Sequence, residues 1–146
     1  IYIINPRLTK TYRNLEHYGN PEKILNDVEK QIRRRILLQT KTLILTPRYL
    51  VELSDDICAI IPLPEVLWIY DHAAMRRTIK GRQLSYTIHV VTMKGEEYTL
   101  TGKSHREVSA IYHELNTRYP NFFFGYSKEH QEMVQYVLHE MKNEKA

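Results

Sequence analysis

The chain predicts an α+β fold in which antiparallel strands are closed by a helix, and three observations carry that prediction. Short apolar runs rich in branched and aromatic residues recur between residues 42 and 101. Turn residues cut them at Pro47-Arg48, Ser54-Asp55-Asp56 and Lys94-Gly95. A helix-capping sequence, Ser104-His105-Arg106-Glu107, follows at once.

At 146 residues the chain suits one core. A chain of this size buries roughly 68–70% of its unfolded surface and folds without disulfides or metal. With 42% hydrophobic and 26% charged residues the composition is that of an ordinary globular protein. The formal charge of +4, from 21 Lys and Arg against 17 Asp and Glu, favours phosphate-bearing partners but falls short of a nucleic-acid-binding density.

The N-terminal third reads as helical. Ile1-Tyr2-Ile3-Ile4 before Asn5-Pro6 has two readings: the end of a transmembrane helix with Tyr2 at the headgroups, or a short strand or ordered tail. Pro6 opens a short helix carrying Leu8, Tyr12 and Leu15, which Gly19 ends. Asn20-Pro21 caps and starts the next helix, with Glu22 at the positive end of its dipole. Ile24, Leu25, Val28, Ile32 and Ile36 mark one apolar face, directed at the sheet or at a partner. Arg33-Arg34-Arg35 spreads around the helix, so it reads first as a solvated end and second as a membrane-surface contact.

From Leu37 the period changes. Residues 42–46 and 49–53 form two adjacent antiparallel strands around Pro47-Arg48, and residues 57–61 form a buried strand stopped by Pro62 and Pro64 at an edge or kink. Cys58, the sole cysteine, lies in that run as a small core hydrophobe, which suits a reducing compartment. In the strand of residues 65–70, Val66, Trp68 and Tyr70 fall on one face and Leu67 and Ile69 on the other, with Trp68 as a core anchor.

Residues 72–83 are polar and basic and read as a hairpin loop or ragged strand ends, with Gly81 at the turn. Residues 84–93 resume alternation, Ile88 and Val90 on one side and His89 and Val91 on the other, and Lys94-Gly95 returns the chain to residues 96–100. The helix after Ser104 carries Val108, Ile111, Tyr112 and Leu115 and stops near Tyr119. A last helix starts at Ser127 with Met133, Val134, Val137, Leu138 and Met141 on its apolar face. Between the two helices, Phe122, Phe123 and Phe124 read as core, with an exposed contact surface as the alternative.

This order of elements resembles bacterial pleckstrin-homology-like (PH-like) domains, including those joined to membrane helices. The residues that carry the likeness are Leu45-Thr46-Pro47-Arg48-Tyr49-Leu50, Pro62-Leu63-Pro64-Glu65-Val66-Leu67-Trp68-Ile69-Tyr70, and Pro120 with Gly125-Tyr126-Ser127, within roughly residues 40–142. The resemblance implies an antiparallel barrel or sandwich of about seven strands with N-terminal helices and C-terminal capping helices. It divides the chain into an N-terminal helical segment, 1–36, and a PH-like domain, 37–146. It further implies a cytoplasmic location, at a membrane or free, and names no catalytic residue. The helix after Tyr126 departs from the simplest PH pattern.

The expectation is a non-catalytic interaction or regulatory domain with a protein partner, using a sheet edge or the groove beside the capped helix, and with self-association open. The alternative is an anionic lipid or phosphate module through Arg76, Arg77, Lys80 and Arg82, set against an anionic membrane surface. Enzyme chemistry is not expected: neither His113-Glu114 nor His139-Glu140 continues into a zinc motif, and no phosphate loop, dinucleotide fingerprint or nucleophile elbow is present. No cofactor or metal is expected. Tyr49, Tyr70, Tyr86 and Tyr98 suggest base stacking only on their face value. Half of them should point to the core, so no nucleic-acid partner is expected.

Overall fold

The computed structural model describes residues 13–53 and 58–144. Cα packing divides the chain into two compact units, Ile1–Glu65 and Val66–Ala146. Pairing within them gives an α+β architecture with two sheets of four strands each. The expectations for Ile1 to Ile4, for the helix from Pro6 to Tyr12 and for the turn at Ser54-Asp55-Asp56 lie outside the described residues, as does the Cys58 side chain, whose backbone begins a strand.

In the first unit, helix α1 (Pro21–Arg34) begins as its sequence dictates, with Asn20 Oδ1 accepting from the amides of Glu22 at 3.0 Å and Lys23 at 3.4 Å. Strands β1 (Leu38–Gln39), β2 (Leu43–Leu45), β3 (Tyr49–Leu53) and β4 (Cys58–Pro62) follow as an antiparallel meander in that order. The β2–β3 turn uses Thr46 twice. Its backbone N–H donates to the Tyr49 carbonyl at 2.9 Å and its hydroxyl accepts from the Tyr49 amide at 3.0 Å, which settles a turn that Pro47 leaves ambiguous. Pro62 ends an edge strand, where a missing N–H is tolerated, and a short 3₁₀ turn (Leu63–Glu65) follows.

Helix α1 packs on this sheet. Leu15, Val28, Tyr49, Val51 and Ile60 form the buried cluster, and Ile24, Leu25, Ile32 and Ile44 pack against it. The Tyr49 hydroxyl reaches back to donate to Asp27 Oδ2 at 2.7 Å. Burial, then this bond, push the phenol well above its ordinary pKa.

The second unit contains β5 (Val66–Thr78), β6 (Gly81–Thr92), β7 (Glu97–Lys103), helix α2 (His105–Arg118), β8 (Phe123–Phe124) and helix α3 (Lys128–Glu144). The sheet order is β7-β6-β5-β8, with β8 alone parallel to its neighbour. Ser104 and Glu107 close the capping box read from the sequence.

Two details differ from the sequence reading. The register shifts between Val66 and Trp68, so that Val66 pairs with Thr92 and Trp68 with Val91, on opposite faces; the strict alternation expected for Val66, Trp68 and Tyr70 fails at this bulge. The segment of Phe122 to Phe124 supplies an eighth strand, with Phe123 opposite Trp68 and Phe124 opposite Ile69, and all three rings are half-buried.

Candidate functional site

The site is a length of the β5–β6 ribbon, and the inner part of that ribbon fixes it in place. Ile69, Ile88, Val90 and Leu100 are buried on the sheet, as are Val108, Ile111 and Leu115 on α2. The Tyr112 hydroxyl donates to Asp71 Oδ1, tying α2 to β5. Burial and the adjacent carboxylate raise the Tyr112 pKa. On the other face Leu67, Trp68, Val91 and Val134 form a second cluster with Tyr70, Phe123, Val137 and Leu138. The Trp68 indole N–H donates to the Gly125 carbonyl at 2.9 Å, so its polar edge is satisfied within a buried ring.

Beyond Asp71 the ribbon continues without this cover. Cross-strand pairing runs unbroken through Ala73↔Tyr86, Met75↔Leu84, Arg76↔Gln83 and Arg77↔Arg82 to Thr78↔Gly81. The segment read as a hairpin loop or ragged strand ends is therefore a regular two-stranded arm. Ile79 and Lys80 form the two-residue turn, and Gly81 follows with φ +116°, a conformation that L side chains rarely adopt.

Pleating sorts the arm's residues. Paired positions share a face and alternate positions along a strand return to it, so Met75, Leu84, Arg77 and Arg82 lie together. Met75 is 66% exposed, Leu84 54%, and Ile79 at the tip is fully exposed. Arg77, Lys80 and Arg82 are exposed beside them. No acidic residue occurs between Asp71 and Glu96, while Arg76, Arg77, Lys80, Arg82 and Lys94 do. The arm is therefore cationic and apolar on the same surface.

A groove of about 730 Å³ runs beside the arm, between Arg77, Lys80 and Leu84 on one wall and Gly102, Ser104 and Glu107 on the other. Arg77 and Lys80 line one wall, and the opposite wall carries Lys103 beside Glu107, the capping-box acid that accepts from the Ser104 amide at 3.3 Å.

The other face of the same ribbon carries an aromatic file. Trp68 and Tyr70 lie 4.2 Å apart, Tyr70 and His89 4.6 Å, and His89 and His72 4.9 Å, measured between ring centres. His89 Nε2 sits 2.9 Å from His72 Nδ1, so one imidazole must donate and the other accept. Burial, then the neighbouring His72, hold the His89 pKa below its ordinary value, outweighing the opposite pull of Glu97. Two histidines alone are too few ligands for a metal centre. Among the described residues no group of three or more His, Cys, Asp or Glu is placed to hold one.

Of the four cations singled out from sequence, Arg77, Lys80 and Arg82 come together at the arm's end, and Arg76 occupies the paired position opposite Gln83. They lie on the hairpin of the fifth and sixth strands, Arg76 and Arg77 on β5, Lys80 in the turn and Arg82 on β6. Sequence reasoning missed Met75, Ile79 and Leu84. The available signal was alternation: Met75 and Arg77 continue the face of Ile69 and Asp71 at every second position.

No helix among the described residues is long and apolar enough to cross a membrane. No curated protein and no solved structure matches the chain. A family model does match over residues 20–134, most of the length and both compact units, and so the chain belongs to the family described as a domain of unknown function, DUF6709.

Proposed function

We propose that this domain is a non-catalytic contact module that holds to an anionic, phosphate-bearing membrane surface through the β5–β6 arm. One observation carries the reading: Arg77, Lys80 and Arg82 are exposed together at the end of a regular ribbon, in a stretch of chain with no acid. Cations near an anionic bilayer contribute about 1 kcal/mol each. Three therefore amount to roughly 3 kcal/mol, enough for reversible attachment and not for permanent anchoring. A place at the cytoplasmic side of a membrane follows from this reading.

The PH-like likeness belongs to the same proposal. Seven strands precede the helix capped by Ser104, four in the first sheet and three in the second, which is the element order that likeness requires. The parallel pairing of β8 is an addition to it.

Flotation of the whole chain with phosphatidylcholine vesicles, with and without phosphatidylglycerol, tests the reading. Binding should require the anionic lipid and weaken as salt rises. The triple variant Arg77→Ala, Lys80→Ala, Arg82→Ala should bind roughly a hundredfold more weakly. A parent that does not float, or a variant that floats equally well, would remove the proposal.

A further inference from the structure

We infer that the arm is a shallow membrane wedge: Ile79, Met75 and Leu84 enter the boundary between headgroups and acyl chains of an anionic bilayer, while Arg77, Lys80 and Arg82 stay with the phosphates. This rests on the anionic-surface reading and goes beyond it, because cations alone would hold the arm above the headgroups. The tip is the first argument. Two-residue hairpin turns favour Gly, Asn and Asp, yet here a β-branched isoleucine occupies the turn with its whole side chain in water. No described residue covers it.

The shared face points the same way. Met75 and Leu84 are cross-strand partners, and Arg77 and Arg82 form the next pair of that face toward the tip. An arm lying on a bilayer with this face down places three apolar side chains and two guanidiniums against it at once. Arginine then buries its methylene stem and lifts its charged end to the phosphates. A purely electrostatic partner has no use for the apolar three, and a purely apolar partner would leave the arginines unpaired. An anionic bilayer matches both.

Depth follows from the backbone. From Ser85 outward β5 is the only described strand registered with β6, so both edges of the ribbon lack a neighbouring strand, and hydrocarbon would not satisfy their peptide groups. The arm must stay at the interface, about 5–10 Å deep, as amphipathic surface elements do. From Met75 to the turn is four residues, about 13 Å of strand, so a tilted arm keeps all three apolar side chains within that layer.

The test places an environment-sensitive fluorophore at the tip through Ile79→Cys in a Cys58→Ala background and adds anionic vesicles. The wedge predicts a blue-shifted, brighter probe, quenched by spin labels near the top of the acyl chains. In unlabelled protein, Ile79→Ser should weaken flotation about tenfold, and Met75→Ser with Leu84→Ser by a similar factor. If the parent floats but the probe stays aqueous and the serine variants float equally well, the wedge is overturned while the anionic-surface reading stands. If the parent does not float, both fall. Tight oligonucleotide binding without flotation, or a dimer abolished by Ile79→Ser, would likewise overturn the wedge.

Discussion

Strand β5 is one ribbon with two halves. Residues 66–71 are buried or half-buried between two layers of side chains, whereas every described side chain from 72 to 79 is exposed, although pairing with β6 holds one register from Trp68 to the tip. The backbone therefore does not distinguish the halves. What differs is the cover: α2 and α3 pack over the inner half, and beyond Asp71 their apolar residues end. A ribbon with both edges open is marginal alone in water. The inner half supplies the stability and the outer half presents the contact residues.

Substitution should expose that asymmetry most strongly in the core. Ile88→Ala, at a position with no exposed surface, should cost about 2–5 kcal/mol in urea denaturation. Leu84→Ala, on the same face of the same strand, should stay within about 0.5 kcal/mol. Equal costs would mean the arm is packed in solution and not free.

The boundary between the halves should be next. Tyr112→Phe removes the donor to Asp71 and leaves a half-buried carboxylate short of a partner, an expected loss of about 1–3 kcal/mol by the same assay. At the tip, Gly81→Ala should cost about 1 kcal/mol. A Cβ there meets no neighbouring atom, so the penalty is conformational and should appear as faster amide exchange at residues 76–84.

A smaller effect is set by pH. The folded His89 pKa lies below that of the unfolded chain, so the unfolded state takes up the proton first. The stability from neutral His89 is complete above about pH 6.5 and is lost as pH falls through the lower folded value. The stability of the parent to urea should fall more between pH 7.5 and 5.5 than that of His89→Gln. The same decline in both would deny the His72–His89 pair this part.

Legibility in the sequence followed from which forces are local. The caps at Asn20 and Ser104 were legible because each is made within four residues, and the apolar stripe of Val108, Ile111 and Leu115 because burial repeats with the helix. The bulge at Val66 and Trp68 was not, since a register shift depends on what the neighbouring strand does. Strand β8 was equally hidden: two phenylalanines become a strand only because β5 lies open beside them and Gly125 can donate to the Ile69 carbonyl at 2.8 Å. The site was half legible. Arg77, Lys80 and Arg82 stood out as charge, but residues 72–83 read as a hairpin loop or ragged strand ends because surface composition and turn composition are alike, which concealed the face shared by Met75 and Leu84.

Amide hydrogen exchange of the whole chain, with and without vesicles containing phosphatidylglycerol, addresses the contrast between the two halves most directly. Slowed exchange on vesicles should be confined to residues 75–84 at the end of the arm, with residues 66–71 and 88–92 unchanged. No change at 75–84, or protection centred on another element, would contradict the assignment of the arm as the contact surface.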